Sequence, residues 1–514
     1  MKNKSLFIAF ALGLGLTSTL LWLLSGTPAS AAAAPVLNRT EGPAERLLAD
    51  TTPIHYVAIT GTDSGDCSTP ANACLTVQYA VDQAGDGDEI RVAAGTYTGV
   101  STRESVTQVV YISRTVTVRG GYTTTNGFAD PPDSETNPTT LNAQAQGRVL
   151  YVTGGISVAI EGLRIAGGNA YHDGIYPSAG GGVYAISATL IISRCQIHGN
   201  TAGIEYVHYG GGVYFNGSKI TLSGNVVYDN SASYGGGVYI QGSTAALNDN
   251  TIYSNTASST FFAHGGGIYL SSNVVVLNGN DVCSNTVSGW YVGSGGGMFI
   301  YNDGMLTLSG NVVRSNTASS TQSGSPVWEP SSGGGLRLYG NDALLINNIV
   351  ADNQATRGSG IYVYGSSPRL LHTTIARNNG GSGIYVGGSG AAPVLTNTIL
   401  VSHSVGISVT TGNTVTLNAT LWHGNTANWN GTGTINHSND HTGDPAFVAP
   451  DAGDYHISSS SAAVDAGVGT GVTDDIDGHP RPFDGDDDGA DEFDIGADEY
   501  VRWHIYLPVL RKNQ

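Results

Sequence analysis

The chain has 514 residues, 73 of which are Gly, with only 12% charged residues and a formal net charge of −19. This length allows a large core, and so much Gly with so few charges indicates a repetitive fold. More than half of the net negative charge lies in residues 474–499, which contain twelve Asp or Glu and one Arg. Because no basic patch is present to bind phosphates, we expect no nucleic-acid partner.

Residues 1–34 have the composition of an export signal. Two lysines precede a long apolar run, and small residues follow it. This order predicts a secretory signal peptide cleaved near Ala31 or Ala33, with an uncleaved anchor as the alternative. We therefore expect a secreted or cell-surface protein with no transmembrane domain after cleavage, and a linker over residues 35–53.

Residues 54–139 are predicted to form an N-terminal cap and the first coils of a repetitive structure. One short amphipathic helix is expected over residues 75–84, with Leu75, Tyr79 and Val81 turned inward. A solenoid exposes an open edge at its first coil, and a helix here can cover that edge.

The four cysteines divide into one pair and two single residues. Cys67 and Cys74 lie close together in a loop of an exported chain, which predicts a disulfide. Cys195 and Cys283 fall at different positions of the repeat, so we expect two separate buried thiols. A metal site would need more ligands at closer spacing.

A short phrase recurs throughout residues 140–440. It reads Gly-Gly-Gly-Val-Tyr three times, then changes gradually, and its central apolar residue returns every 23 to 38 residues. The runs around it alternate apolar and polar residues, which is typical of strands. Coils of this length with short strands predict an all-β parallel β-helix, in which each coil pairs with its neighbours. The central apolar residues are Val183, Val213, Val238, Ile268, Met298, Leu336, Ile361, Ile384 and Ile407.

The alternation predicts which side chains face the core. The central apolar residues and those two positions later are expected to point inward, and the residue between them outward. Arg337 in the outward column agrees with this assignment, because a lone guanidinium does not belong in an apolar core. The outward column consists of Tyr184, Tyr214, Tyr239, Tyr269, Phe299, Arg337, Tyr362, Tyr385 and Ser408.

Two Asn columns accompany each coil. We expect them at corners, where Asn tolerates a left-handed backbone and its amide bonds along the stack. One column contains Cys195, Asn225, Asn250, Asn280, Asn311 and Asn348, and the other contains Asn200, Asn230, Asn255, Asn285, Asn316, Asn353 and Asn378.

These repeats resemble right-handed parallel β-helix proteins, the fold of the pectate-lyase superfamily. The Gly-Gly-Gly-Val-Tyr and Asn phrases are also similar to polymorphic outer-membrane-protein repeats of bacterial adhesins. The resemblance implies secretion and contact with polysaccharides or other cells. It specifies a fold and leaves the function open.

Residues 441–500 form a second, acidic segment. Its phrases include Asp477-Gly478-His479-Pro480-Arg481 and Asp494-Ile495-Gly496-Ala497-Asp498-Glu499-Tyr500. In this order they resemble the choice-of-anchor Q C-terminal region of bacterial secreted proteins, which implies an extracellular protein whose mode of anchoring varies. The tail, residues 501–514, is predicted to be either a sorting signal or a last strand.

The acidic segment contains a pattern typical of calcium loops. Asp484, Asp486 and Asp488 alternate before a Gly, with Asp491 available to complete the sphere. The twelfth position is Ile495, so a complete EF-hand is excluded. The sequence predicts structural Ca²⁺ here, and the alternative is a solvated acidic loop.

The outward rings and the loops beside them are the predicted binding surface. Rings about 4.8 Å apart would form a strip on which sugar rings stack, with inserted loops as walls. The alternative is that the rings only pack on one another and shield the sheet. The proposed binding residues are Tyr214, Tyr239, Tyr269, Phe299, Trp290 and Trp328.

An enzymatic function finds less support in the sequence. The loop acids Glu205 and Glu329 lie four coils apart, about 19 Å, whereas a glycosidase pair needs roughly 5–10 Å. His208 and His264 are interpreted as loop or edge histidines, and no catalytic residues are assigned. We predict a non-catalytic, monomeric, adhesin-like protein that binds an extracellular polysaccharide or cell-surface glycan. The alternatives are a polysaccharide lyase or glycoside hydrolase and a passive spacer.

Overall fold

The computed structural model describes residues 52–173, 178–203, 206–271, 274–301, 304–321 and 330–502. Short parallel strands dominate this part of the chain, and successive coils pair in register. The predicted parallel β-helix is therefore confirmed. The predicted signal peptide, most of the predicted linker, Trp328 and the end of the tail lie outside the described residues.

The first sheet contains the strands that follow the Gly-Gly-Gly phrase, together with equivalent strands of the first and last coils. Val213 pairs with Val238, and Val238 pairs with Ile268, so the central apolar residues align from coil to coil. Its strands are Ser101–Arg103, Val106–Ile112, Arg148–Thr153, Val183–Ile186, Val213–Asn216, Val238–Gln241, Ile268–Ser271, Met298–Tyr301, Leu336–Tyr339, Ile361–Tyr364, Ser382–Gly387, Val405–Val409 and Ala427–Gly431.

The second sheet bends at a corner and so contributes two strands to most coils. Late in the chain single strands run through the bend. Its strands are Ile54–Val57, Asp88–Ala93, Gly95–Tyr97, Val116–Tyr122, Thr139–Asn142, Ser157–Glu161, Leu163–Ala166, Thr189–Ser193, Gln196–His198, Lys219–Ser223, Val226–Tyr228, Thr244–Asn248, Thr251–Tyr253, Val274–Asn278, Asp281–Cys283, Met305–Ser309, Val312–Arg314, Leu344–Ile346, Ile349–Ala351, Arg369–Ala376, Val394–Val401, Thr414–His423, Thr434–Ser438 and His441–Thr442.

Small sheets and single turns of helix complete the described part. The additional strands lie mainly in the inserted loops and in a C-terminal hairpin: Ser231–Ala232, Thr256–Ser259, Thr286–Gly289, Thr317–Ser320, Phe262–His264, Val292–Ser294, Phe447–Ala449 and Asp454–Ile457. Short 3₁₀ turns occupy Pro70–Asn72, Thr124–Asn126, Ala170–Asp173 and Pro450–Ala452.

The predicted helix covers the first coil, but with a different inner face. It spans Val77–Gln83, and Thr76 accepts a hydrogen bond from the backbone N–H of Tyr79 as its N-cap. The side-chain amide of Gln78 accepts from the backbone N–H of Tyr111 at 2.6 Å and donates to its carbonyl at 3.2 Å. These bonds satisfy backbone groups at the open edge of the first coil. Leu75, predicted to face inward, precedes the helix and is exposed.

The disulfide between Cys67 and Cys74 is confirmed. Cys195 and Cys283 are separate, buried thiols, as predicted. Burial raises the pKa of Cys195 to about 12 and that of Cys283 to about 11, so both remain protonated at neutral pH.

The side-chain directions predicted from the alternation are confirmed. Val213, Phe215, Val238 and Ile240 belong to one core that runs from Val57 to Trp422. Tyr214 and Tyr239 belong to a separate outer cluster. The tube is therefore filled mainly with aliphatic residues, and the tyrosines of the outward column lie on its outside.

The Asn ladders are confirmed, but their backbone conformation differs from the prediction. Asn285 donates to Asn316 Oδ1 at 3.0 Å and to the carbonyl of Ile252 at 2.8 Å, while it accepts from Asn255. The left-handed conformation belongs instead to the residue before each Asn, such as Ser284 with a φ of 55°. The turn is thus made one residue earlier, which leaves each Asn amide directed into the stack.

His403 continues one ladder with a titratable side chain. Its Nε2 lies 3.2 Å from Asn378 Nδ2, and Asn425 Oδ1 accepts from its backbone N–H. Burial lowers the pKa of His403 to about 4. Because this folded-state pKa lies below the unfolded value, stability present at neutral pH is lost as the pH falls from about 6.5 through 4.

The variant His403→Asn should therefore be less sensitive to acid. Asn is the ladder's own residue type and carries no proton to bind. Between pH 7 and 4 we expect the variant to lose about 2–3 kcal/mol less stability than the wild type. Thermal unfolding of both proteins across this pH range measures the difference, and superimposable pH profiles would contradict the prediction.

Candidate functional site

A continuous stack of rings lies on the outside of the first sheet. We call it the aromatic column, and it consists of Tyr111, Tyr151, Tyr184, Tyr214, Tyr239, Tyr269 and Phe299. Neighbouring ring centroids are 4.7–5.5 Å apart with interplanar angles of 2–16°. This geometry follows from the coil spacing, because equivalent residues of parallel strands lie one above another.

The middle of this column is covered by side chains from the segments that lead into the Gly-Gly-Gly phrase. Tyr209 packs against Tyr239 with centroids 4.8 Å apart, and Tyr234 lies 5.7 Å from Tyr269. His264 lies 4.5 Å from Phe299. These covering residues immediately precede the Gly-Gly-Gly phrase of successive coils.

The predicted open strip is therefore not present at the residues proposed for it. Tyr214, Tyr239 and Phe299 are buried, with only 4% of Tyr239 exposed, and Tyr269 is partly buried. Burial raises the pKa of Tyr239 and of Tyr269 well above the ordinary tyrosine value. These rings stabilise the sheet and leave little ring face for a sugar.

Arg337 continues the aromatic column without breaking its packing. It is buried, and its guanidinium lies 5.5 Å from the centroid of Phe299 and 4.9 Å from that of Tyr362. Its Nη1 donates to the hydroxyls of Ser294 and Ser332 at 2.7 and 2.6 Å. Cation–π contact and hydroxyl acceptors thus accommodate the charge outside the aliphatic core.

A second set of rings lies at the tips of the inserted loops. We call Tyr171, Tyr206, Phe261 and Trp290 the loop ridge. All four are exposed, with 42% of Phe261 and 48% of Trp290 accessible. Trp290, one of the predicted binding residues, thus lies in the loop ridge and not on the aromatic column. Trp328, predicted with it, lies in the next insertion and outside the described residues.

Backbone pairing between loops aligns the ridge along the solenoid. Trp290 N–H donates to Ser259 O at 3.1 Å, and Tyr291 N–H donates to Phe261 O at 2.9 Å. Ser259 also donates its hydroxyl to Tyr206 O, so the loops of Tyr206 and Phe261 meet across the intervening short coil. The Tyr206 and Phe261 centroids are 6.1 Å apart. These contacts align Tyr206, Phe261 and Trp290 in a row along the solenoid.

Two carboxylates on the described coils are engaged by arginines. Asp281 accepts from Arg314 at 2.9 Å. Asp352 lies 3.1 Å from Arg377 and also accepts the hydroxyl of Tyr455. Such pairs hold the two carboxylates in fixed positions. Glu205 and Glu329, the loop acids considered for catalysis, lie outside the described residues.

The acidic C-terminal segment returns along one flank of the solenoid. We call residues 441–500 the C-terminal module. A second apolar core joins Tyr455, Ile457 and Ile495 of the module to outward residues of late coils such as Ile399 and Leu421. Asn397 bonds both backbone groups of Val468, at 2.8 and 2.9 Å. The module is thus packed on the coils rather than tethered to them.

A buried ion pair lies at the centre of this contact. Arg481 Nη1 donates to Glu499 at 2.9 Å and to His372 Nδ1, on a late coil, at 2.8 Å. The side chains of Arg481 and Glu499 are fully buried. Burial lowers the pKa of His372, and the charge of Arg481 lowers it further, so the imidazole is neutral and accepts. Burial raises the pKa of Glu499 to about 7 despite the opposing effect of Arg481.

The structure brings together two of the four predicted calcium ligands and leaves the other two outside the group. Asp484 and Asp486 come within 4.8 Å of each other and of Asp465, which the sequence analysis did not select. Asp465 Oδ2 is buried and has no hydrogen-bond partner in the described structure. Asp488 caps the loop by accepting from Ala490 N–H, and Asp491 is exposed. Calcium binding by this loop stays a prediction.

Two further His and carboxylate groups in the module also went unpredicted. Ligand atoms of His456, Asp477 and Asp498 lie within 4.8 Å of one another, as do those of Asp475, Asp477 and His479. Burial raises the pKa of Asp498 to about 6, and hydrogen bonding to Asp454, working against burial, raises that of His456. His456 and Asp498 are 42 residues apart, so no local spacing could have indicated the first group, whereas the second lies within residues 475–479.

The fold and the repeat define a parallel β-helix protein. A family model of the right-handed β-helix region matches residues 142–302 and 281–422, which together cover more than half of the chain. The chain belongs to the right-handed β-helix family. No curated protein sequence matches it. Within the described residues, no helix has the length and apolarity needed to cross a membrane.

Several solved structures are similar in outline at low identity. The crystal structure of pectate lyase Pel9A has 12% identity and a TM-score of 0.43, over 88% of this chain and 97% of that one. The periplasmic alginate epimerase AlgG has 15% identity and a TM-score of 0.35, over 70% and 73%. The GH136 lacto-N-biosidase from Eubacterium ramulus has 12% and 0.32, over 76% and 67%. These values are too low to transfer an activity.

Proposed function

We propose that this protein binds an extracellular polysaccharide or cell-surface glycan through the loop ridge without cleaving it. The observation that supports this function is the row of exposed rings at Tyr171, Tyr206, Phe261 and Trp290, held in line by pairing between loops. The site differs from the one expected from sequence, because the aromatic column beneath it is largely covered.

The chemistry of the ridge suits sugars. Exposed aromatic rings present flat apolar faces on which the C–H faces of a sugar ring pack, while the sugar hydroxyls remain in water. Contiguous exposed apolar surface commonly marks a binding site. Coils about 4.8 Å apart repeat this surface along the axis, which fits a chain of similar units better than a single small molecule.

The absence of catalysis is part of the proposal. Asp281 and Asp352, on the described coils, are committed to Arg314 and Arg377. A lyase or hydrolase would need a carboxylate or a base free to exchange protons with the substrate. Cleavage of the bound polysaccharide is therefore the outcome that the experiment must look for.

We also propose that the protein is exported and acts outside the cytoplasm as a monomer. A disulfide links Cys67 and Cys74, and disulfides persist in oxidising compartments. The signal-like residues 1–34 and the resemblance of the C-terminal module to the choice-of-anchor Q region support the same location.

The function is tested by measuring binding and turnover on the same polysaccharides. We expect a glycan array to show retention of at least one polysaccharide. On that ligand, assays for reducing ends and for unsaturated products should remain at the background of heat-denatured protein. Turnover would establish the lyase or hydrolase alternative, and an array without any binding would leave the solenoid as a spacer and refute the proposal.

A further inference from the structure

Three separate segments of the C-terminal module converge on one cluster of side chains. The hairpin strand Asp454–Ile457 supplies His456, a turn closed by pairing of Asp474 with Pro480 supplies Asp477, and the last segment supplies Asp498. One ligand atom of each of the three side chains lies within 4.8 Å of the other two. An imidazole nitrogen and two carboxylates at this spacing can surround one metal ion.

The imidazole is held in the orientation that metal binding requires. His456 Nδ1 lies 2.6 Å from Asp454 Oδ1, and Nε2 points at Asp477 Oδ2, 2.8 Å away. A carboxylate on the far nitrogen is the usual outer partner of a metal-bound histidine, because it fixes the ring and increases its basicity. Asp454 therefore takes the role of positioning residue.

The third ligand is fixed by the backbone. Asp498 is only 6% exposed, and its Oδ2 accepts from the backbone N–H of Ile457 at 2.7 Å. This bond ties the last segment to the hairpin strand directly beside His456. His456 and Asp477 keep partly exposed side chains, so an ion can enter from solvent and complete its coordination with water.

We propose that His456, Asp477 and Asp498 bind one divalent transition-metal ion, with Zn²⁺ as the best fit. Imidazole nitrogen with carboxylate oxygen is a common zinc donor set, whereas Ca²⁺ and Mg²⁺ prefer oxygen ligands alone. The ion would join the hairpin, the turn and the last segment, and so hold the C-terminal module together. This site is independent of the glycan proposal and of the predicted calcium loop.

The neighbouring group of Asp475, Asp477 and His479 is a turn rather than a competing site. Asp475 Oδ1 accepts from the backbone N–H groups of Asp477 and His479, at 2.9 and 2.7 Å. Its Oδ2 accepts from Glu499 N–H at 3.1 Å and lies 3.2 Å from His479 Nδ1. Both oxygens are thus engaged in closing the turn, and that turn delivers Asp477 to His456.

The test is equilibrium dialysis of the metal-stripped full chain against Zn²⁺. We expect about one bound Zn²⁺ per chain, not displaced by excess Ca²⁺. His456→Ala and Asp477→Asn should abolish the site, and Asp454→Asn should weaken it about tenfold. Asp477 is exposed, so Asp477→Asn should fold, which far-UV circular dichroism verifies.

Two histidines serve as matched controls. His437 pairs with Asp440 at 2.8 Å in the last coil, and His479 lies in the neighbouring turn. His437→Ala and His479→Gln should both keep wild-type affinity for Zn²⁺. Binding that is absent in the wild type, equal in all variants, or lost only in His479→Gln would overturn the assignment.

Discussion

Arg481→Met should release the C-terminal module from the solenoid. The substitution leaves Glu499 buried without its cation and removes the donor to His372, which lies on the coil beneath. Breaking a buried pair by removing one partner costs about 3–5 kcal/mol. Because coils contact only their neighbours, we expect the loss as local opening of residues 444–500 rather than as global unfolding. Amide hydrogen exchange there should accelerate about a hundredfold or more.

Arg314→Met is the matched control for this experiment. Arg314 pairs with Asp281 at the same 2.9 Å, but about a third of each side chain is exposed. A pair of this kind contributes about 0–1 kcal/mol, so exchange in the module should change little. The double variant Arg481→Met with Glu499→Gln should recover part of the loss, because no buried carboxylate is then left unpaired. Unchanged exchange in Arg481→Met would contradict the role given to this pair.

Asn285→Ala should weaken the solenoid at one coil. The Asn285 amide serves the carbonyl of Ile252, Asn316 Oδ1 and both N–H donors of Asn255, and the side chain is fully buried. Each buried group left without a partner costs about 1–3 kcal/mol, so the total should reach about 3–5 kcal/mol. Thermal unfolding followed by circular dichroism, together with limited proteolysis, measures the loss.

Asn278→Ala is the corresponding control on the same coil, at an Asn outside the ladders. Asn278 is exposed at the end of a strand, and substitution there should change stability by less than about 0.5 kcal/mol. If Asn285→Ala and Asn278→Ala unfold at the same temperature, the ladder does not stabilise the coils as described.

The coil architecture could be predicted because its signals are local and repeated. Val213, Val238 and Ile268 recur at the same place in each phrase, and alternation assigns every neighbour a side. A β-helix places such repeats in register, so one coil predicts the next. Even His403 occupies a ladder position that counting the coils would have found.

The accessibility of the rings could not be read from the alternation. Period two distinguishes inside from outside, but an outward ring is exposed only if nothing folds over it. Tyr209, Tyr234 and His264 cover the aromatic column from the segments just before the Gly-Gly-Gly phrase, whose path a strand pattern does not describe. Their recurrence just before the Gly-Gly-Gly phrase was the available signal.

The apolar pattern of the late coils indicates that another segment packs against them. Early coils alternate, as in Val226–Tyr228, where only the middle residue is buried. Late coils carry continuous apolar runs such as Ile349–Ala351, in which all three residues are buried. A strand that is apolar on both faces needs cover on both. The residues that cover these strands, such as Tyr455 and Ile495, lie more than a hundred positions later in the chain, so only the structure identifies them.

The most direct test of the central claim is affinity electrophoresis of ridge variants in a polysaccharide that the wild type binds. Phe261→Ala with Trp290→Ala should lose most of the retardation. Trp429→Ala should keep it, because Trp429 is similarly exposed, at 40%, but lies five coils away, about 24 Å along the axis. Retardation that survives in the ridge variant, or that disappears equally in Trp429→Ala, would contradict the assignment of glycan binding to the loop ridge.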